Sequence, residues 1–538
     1  MIKKSEWAVA IALSIVAISL HALRMSHAGA LWRDEAGAVH LAMMPTAGDI
    51  LQNFQHVSFP ILFPFALRAY TVIVGACDFD FRVLGMLVGM GIIGALWLNA
   101  RLVGQGLPLI SLVLLGFNTF FIQWGDSIRG YGIGSGLILF TFALLVRVIE
   151  QPNWPRTAAT LLAALASVHF LFQNSVLLFS ICTAAITISL IRRRWRAASM
   201  VLGIGLVAAL SMLPYVWPLT DARQWTILLE YPTTLPLLWS QLADTLASPL
   251  PFMTWVWHLL VVLAVAGVIG LIWKNRTSAL KEELKEQPKD LLFICVLAMV
   301  IAIGAYYVFL EILSRYTRPW HYLPLIALVA VTLDCAIQFL AKTAWMRVAR
   351  LTLVIIIAGT LLVPAWQKVQ VRQTNIDLVI QELEKFSSAE DFILVEPWFY
   401  GVSFNRYYRG AANWMTLPAI ADHRIHRYDL VKAKMESSNP IDDILHNVVE
   451  TLQSGNRVWV VGNIHFPESE AAVPSLPPAP NSPWGWLELP YVEAWSLQVN
   501  FFLLTNGLHA QFVRIPVDGP VSEYENVQLM VVQGWRDN

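Results

Sequence analysis

Through its first 367 residues the chain alternates long apolar runs with short polar connectors. A bilayer-spanning helix needs ~20 mainly apolar residues, and runs of that kind begin near Trp7, Arg82, Leu107, Tyr131, Thr157, Asn174, Ser199, Trp255, Leu291, His321 and Leu351. The pattern predicts about eleven membrane spans. A further apolar stretch, Phe59 to Gly75, is shorter, opens with Pro60 and Pro64 and carries Arg68 in its middle. From Gln370 onward the runs shorten and change period. Asp377 to Phe386, Asp442 to Leu452 and Ala494 to Leu504 read as helices; Asp391 to Glu396, Arg457 to Gly462, Ala510 to Ile515 and Val527 to Val532 read as strands. Helices alternating with short β-branched strands imply a small α/β layer structure, interrupted by a Pro-rich surface loop, Pro474 to Pro483. The expected organisation is a membrane domain over 1–367 and an extracytoplasmic α/β domain over 368–538.

Basic residues in short loops stay in the cytoplasm, and this sets the orientation. Lys3 and Lys4 start the chain inside. If Phe59 to Gly75 lies on the outer surface without crossing, then Arg101, Arg147 with Arg156, the cluster Arg192 to Arg196, the loop Lys274 to Lys289, and Lys342 with Arg347 and Arg350 all fall inside. If it crosses, the cluster Arg192 to Arg196 is placed outside. The surface helix is therefore the expected arrangement. The first run follows two lysines as a secretory signal does, but no clean small-residue cleavage site follows, so it is read as a retained anchor in the inner (plasma) membrane.

Composition agrees with the pattern. Of 538 residues, 57% are hydrophobic and 14% charged, against about 25% charged in a soluble chain; mean hydropathy is +0.57. Lys plus Arg equals Asp plus Glu at 37 each, so no basic excess exists to bind nucleic acid. Cys77, Cys182, Cys295 and Cys335 lie far apart, three of them in apolar stretches, and read as filler rather than a disulfide framework or metal site. The tail holds no phosphate-cradling glycine motif.

Chemistry is then sought on the outer side. Just after the first span come Arg33, Asp34 and Glu35. Adjacent residues on a helix project differently, so one carboxylate reacts while the other caps or ligates, unless both merely start a surface helix, where acids are favoured. The turn Trp124 to Tyr131 holds Asp126 and Arg129, three apart, which either pair locally or build a second wall of the same site. A third cluster, Ser314 to Tyr322, contains Arg315 and Arg318 among aromatic residues. Such arginines either anchor the chain in an aromatic belt or bind an anionic lipid headgroup. His169 reads as a satisfied helix histidine, and His56 is equally open.

In order and membrane side these segments resemble the GT-C superfamily of polytopic glycosyltransferases, in particular the family 39-like group of protein mannosyltransferases and lipid A aminoarabinose transferases. Trp32-Arg33-Asp34-Glu35 matches the acidic motif after the first membrane helix. His56 to Arg68 approaches the proline-containing juxtamembrane helix without its double proline. Phe79 to Gly85, and Trp124 to Tyr131 with Arg129 and Tyr131 kept, occupy the next two places. The resemblance covers roughly the first 330 residues.

It implies a GT-C-like fold and inverting transfer of a hexosyl or pentosyl group from a polyprenyl-phosphate donor to an extracytoplasmic lipid, protein or polysaccharide acceptor. Asp34 would be the general base, with Glu35 beside it and a divalent cation as a possible cofactor; Arg33, Asp126, Arg129, Tyr131, Arg315 and Arg318 would bind substrate, the arginines taking the lipid phosphate. A transporter or flippase is the alternative class, although no internal repeat is visible and the marked charges lie in outer loops. A noncatalytic envelope scaffold is a third, in which Asp34 would be dispensable.

Overall fold

The computed structural model describes residues 2–57, 59–277, 286–469 and 472–536. Ser58, Asn538 and most of the basic loop 274–289, including the side chains of 274–288, lie outside the described residues.

Among the described residues nine helices are long and apolar enough to cross a membrane. They are α1 (Ile2–His27), α5 (Asp78–Leu102), α8 (Gly130–Glu150), α10 (Asn174–Ile191), α11 (Trp195–Ser211) with its continuation to Leu229, α14 (Met253–Thr277), α15 (Glu286–Leu313), α16 (Leu323–Leu340) with the turn before it, and α17 (Ala344–Lys368). The two remaining expected spans are present but shorter. The run from Leu107 is broken into α6 (Leu109–Gly116) and α7 (Thr119–Gly125), because Asn118 leaves the helical conformation and its side chain accepts from Phe121 N–H to cap α7. The run from Thr157 forms α9 (Trp154–Phe170), of 17 residues. α16 is buried along nearly its whole length and is apolar apart from a few residues such as Asp334, which Ser111 satisfies at 2.7 Å, as suits a helix at the centre of a bundle.

Between α1 and α5 lie three short helices, α2 (Arg33–Ala42), α3 (Ala47–Asn53) and α4 (Leu62–Ile73). α4 is the expected surface helix; at 12 residues it is too short to span and packs on α2 and α9. α12 (Val216–Thr226) and α13 (Leu235–Leu246) lie on the same side of the bundle, between α11 and α14.

After α17 the chain builds a five-stranded sheet in the order β2-β1-β3-β5-β4. β1 (Phe392–Glu396), β2 (Asn413–Thr416) and β3 (Arg457–Gly462) run parallel; β5 (Gln528–Trp535) is antiparallel to β3 and to β4 (Gly507–Phe512). Period-two alternation sends Ile393 and Val395 to one face, with α18 (Ile376–Phe386) and α19 (Gly401–Tyr407), and Phe392 and Leu394 to the other, with α20 (Tyr428–Met435), α21 (Asp442–Gln453) and α22 (Glu488–Asn506). The strand expected over Ala510 to Ile515 is shifted toward the N-terminus, and β2, with an exposed and mixed pattern, was not foreseen.

The tail is fastened to the segment after α1. Arg24 donates to Val371 O and to Gln373, Gln373 N–H to Ala28 O at 2.8 Å, and Leu31 N–H to the Tyr407 hydroxyl at 2.7 Å. Tyr407 and Arg406 in turn bind Asp78 at the start of α5, at 2.6 and 2.7 Å. Gly29 makes this approach possible: its φ is +65°, and a Cβ there would sit 2.6 Å from Arg372 Cζ. The four cysteines are unpaired, Cys77 exposed and the others buried.

Candidate functional site

α2 begins where the chain leaves the bundle, and its first turn divides the two acids. Glu35 is fully buried. Its carboxylate accepts both Arg82 Nη groups, at 2.8 and 3.0 Å, Ile128 N–H at 2.8 Å and Trp32 N–H at 3.2 Å. This ties α2 to α5 and to the 126–129 turn, and the forked guanidinium contact fixes the geometry. With its lone pairs filled, Glu35 is a brace, not a group open to substrate or metal. Asp34 is the acid that reaches open space, with its side chain 23% exposed.

Asp34 lies among two arginines and two histidines. Arg129 Nη2 lies 3.5 Å from one carboxylate oxygen and His426 Nε2 3.8 Å from the other. Neither distance is that of a tight hydrogen bond, so lone pairs stay open to an incoming proton. Burial pushes the Asp34 carboxyl up, but Arg129, His426, Arg33 and His321 together outweigh it and hold it below the ordinary carboxylate range. Burial takes the His426 imidazole down to about 4 against the pull of Asp34, so it is neutral near pH 7.

The 126–129 turn does not form the local pair that its spacing allows. Asp126 is buried and takes His21 Nδ1 on its carboxylate at 2.7 Å, while Arg129, in extended conformation before α8, turns the other way toward Asp34. Gly85 of α5 admits this turn, since a Cβ there would meet Asp126 O at 2.1 Å. The Asp126 carboxylate is therefore engaged by His21 in this arrangement. Arg129 also lies over the Phe59 ring at 4.5 Å, and its Nε is buried without a hydrogen-bond partner. Tyr131 is buried against Phe59 and His321, at 5.2 and 5.9 Å between ring centres.

Arg33 is held by the tail: its N–H donates to Glu525 at 2.9 Å and its Nη1 to Tyr524 O at 2.7 Å, with the guanidinium over Phe399 at 4.6 Å. Burial raises the Glu525 carboxyl, and Arg33 opposes that shift. Arg318 lies over the rings of Tyr316 and Tyr524, at 4.7 and 5.6 Å. The backbone of Arg315 bridges to Glu230; its guanidinium has no ion pair among the described residues and is brought below its usual pKa by burial, with Tyr428 and Glu230 opposing. An apolar crevice between α4, α5 and α8, lined by Phe63, Leu67, Leu84, Val88 and Ile133, runs up to Arg129.

The two open histidines resolve differently. His169 is satisfied by Tyr215 at 2.8 Å and Ser211 at 3.1 Å, whereas His56 stacks on Trp225 at 4.7 Å with Nδ1 buried and unpartnered. His426, Tyr428 and Glu525 come from the tail, and no local motif marks them. Arg82 carried one signal, a cation just inside an apolar run. Among the described residues no group of three or more His, Cys, Asp or Glu side chains is placed to hold a metal ion.

No family model and no curated protein matches the chain. Among solved structures, ArnT from Cupriavidus metallidurans bound to undecaprenyl phosphate is similar at 12% identity and a TM-score of 0.46, over 85% of this chain and 92% of that one. Its apo state gives 14% and 0.46 over the same shares. The apo oligosaccharyltransferase of Archaeoglobus fulgidus gives 10% and 0.48, over 85% of this chain and 69% of that one. At these identities, and with TM-scores below 0.5, the likeness is one of general architecture and assigns neither family nor role.

Proposed function

We propose that the protein is a membrane glycosyltransferase that moves a sugar from a polyprenyl-phosphate donor to an acceptor outside the cytoplasm, with residues 1–367 as the transmembrane domain and 368–538 as an extracytoplasmic domain that completes the site. The observation that carries this reading is a single open carboxylate, Asp34, set among Arg129, His426 and Arg33 where an apolar crevice ends at Arg129. The crevice would take the isoprenoid end of the donor with Arg129 at the phosphate, and Arg315 and Arg318 are the further arginines assigned to that phosphate.

The chemistry follows from those positions. The acceptor's O–H bond breaks, its oxygen bonds to the anomeric carbon, and the proton passes to Asp34. The bond from that carbon to the phosphate oxygen breaks with its electron pair on the phosphate, whose charge the arginines meet through forked hydrogen bonds. Glu35 and Asp126 are occupied by Arg82 and His21, so neither serves as a covalent nucleophile. Single displacement with inversion is the outcome.

The test is sugar transfer from a defined polyprenyl-phosphate sugar by the purified full chain. Asp34→Asn should fold and bind polyprenyl phosphate as the wild type does, while turnover falls at least ~10²-fold, the lower range of general-base catalysis. Normal turnover by that variant would falsify the assignment.

A further inference from the structure

The tail supplies one wall of the site, and the mechanism above leaves two of its groups without a task. Glu488, at the start of α22, is 5% exposed. One of its oxygens accepts Trp398 Nε1–H at 2.5 Å; the other has no hydrogen-bond partner among the described residues. Burial lifts this carboxyl to about 7, against the Trp398 hydrogen bond and Arg33. Tyr428, at the start of α20, is half-buried, and its hydroxyl likewise has no partner among the described residues. The charged groups that act on that hydroxyl are Glu488, Asp34, Arg33 and Arg315. Trp398, fully buried, packs edge-on against Tyr428 at 5.1 Å and against His426 at 5.8 Å, and so fixes the whole wall.

We propose that Tyr428 and Glu488 form the acceptor subsite, and that the acceptor presents a sugar ring there. This rests on the glycosyltransferase reading. Glu488 and Tyr428 both sit on Trp398, at 2.5 and 5.1 Å, and the same ring faces His426, which lies 3.8 Å from Asp34, so the two groups flank the approach to the proposed base. A phenol that donates and accepts, beside a carboxyl that accepts or donates with its protonation state, matches the neighbouring hydroxyls of a polyol, each of which does both. A peptide acceptor fits less well. It is usually aligned by an unpaired strand edge, and the wall consists of side chains from two helix starts, with β1 paired on both sides by β2 and β3.

The test is saturation-transfer NMR on the full chain in lipid nanodiscs, with methyl glycosides of the common hexoses as one probe set, threonine-containing peptides as another, and a separate titration with polyprenyl phosphate. At least one glycoside should show transfer to its ring protons. In Tyr428→Phe and Glu488→Gln its affinity should fall about fivefold, the loss expected for one hydrogen bond, while polyprenyl phosphate binds as in the wild type, which also reports intact folding. The subsite is overturned if no glycoside responds, if peptides respond instead, or if both variants bind the glycoside normally. Failure of polyprenyl phosphate to bind the wild type counts instead against the parent reading.

Discussion

At the scale of single residues, the charge on Asp34 is the controlling quantity. Its cationic neighbours hold the carboxyl below its usual value, about 3.9 for a free aspartate. A base must be ionised to take a proton, so activity should persist through that range as pH falls and decline only below it. Arg129→Gln removes the largest of the opposing charges and should move the acidic limb of kcat/KM upward. An unmoved limb in a folded variant would mean that another group titrates. Glu35 supports a different expectation. Glu35→Gln leaves the Arg82 charge buried without its counter-ion, a change of about 3–5 kcal/mol, so Tm should drop well before any effect on donor affinity appears. The sequence held the adjacent acids, and the resemblance singled out Asp34 as the base, but the residues alone left open which one would face open space. Arg82 decides that, 47 positions away. The local pair between Asp126 and Arg129 failed for a related reason: three-residue spacing makes neighbours only on a helix, and Arg129 is extended.

At the scale of elements, the segment 314–318 joins α15 to the turn before α16 and carries two arginines over the site. Replacing Arg315 or Arg318 with Ala should weaken polyprenyl phosphate binding, and Lys should restore only part of it because it lacks the planar fork. Unchanged affinity in both Ala variants would make these residues interfacial anchors. Long elements were the most legible part of the chain, since ~20 apolar residues leave few alternatives to a span. The short ones were not. α2, α19 and β2 have 10, 7 and 4 residues, too few for a period to declare itself, and tertiary packing determines them. The broken run over α6 and α7 reads as one apolar stretch until Asn118 is seen capping the second half.

At the scale of the whole molecule, the proposed orientation follows from the basic connectors at one end of the bundle and the tail at the other. A reporter active only outside the cytoplasm should work when fused after Asn538 and stay silent after Arg196; the opposite pair of results would invert the molecule and remove the site from the compartment proposed for it. The contribution of the tail to the site was the least legible feature. His426 approaches Asp34 across some 390 residues of chain, and nothing in the tail's alternating helices and strands announces that contact.

The grip of Glu525 on Arg33 also bears on the order in which the molecule comes into being. The two residues are 492 positions apart, and the strand that follows Glu525, β5, sits inside the sheet rather than at its edge. During synthesis, therefore, every span can be in place while Arg33 still lacks its partners in the tail. On the proposed function, a chain interrupted before β5 should therefore show no sugar transfer even though all of its spans are made.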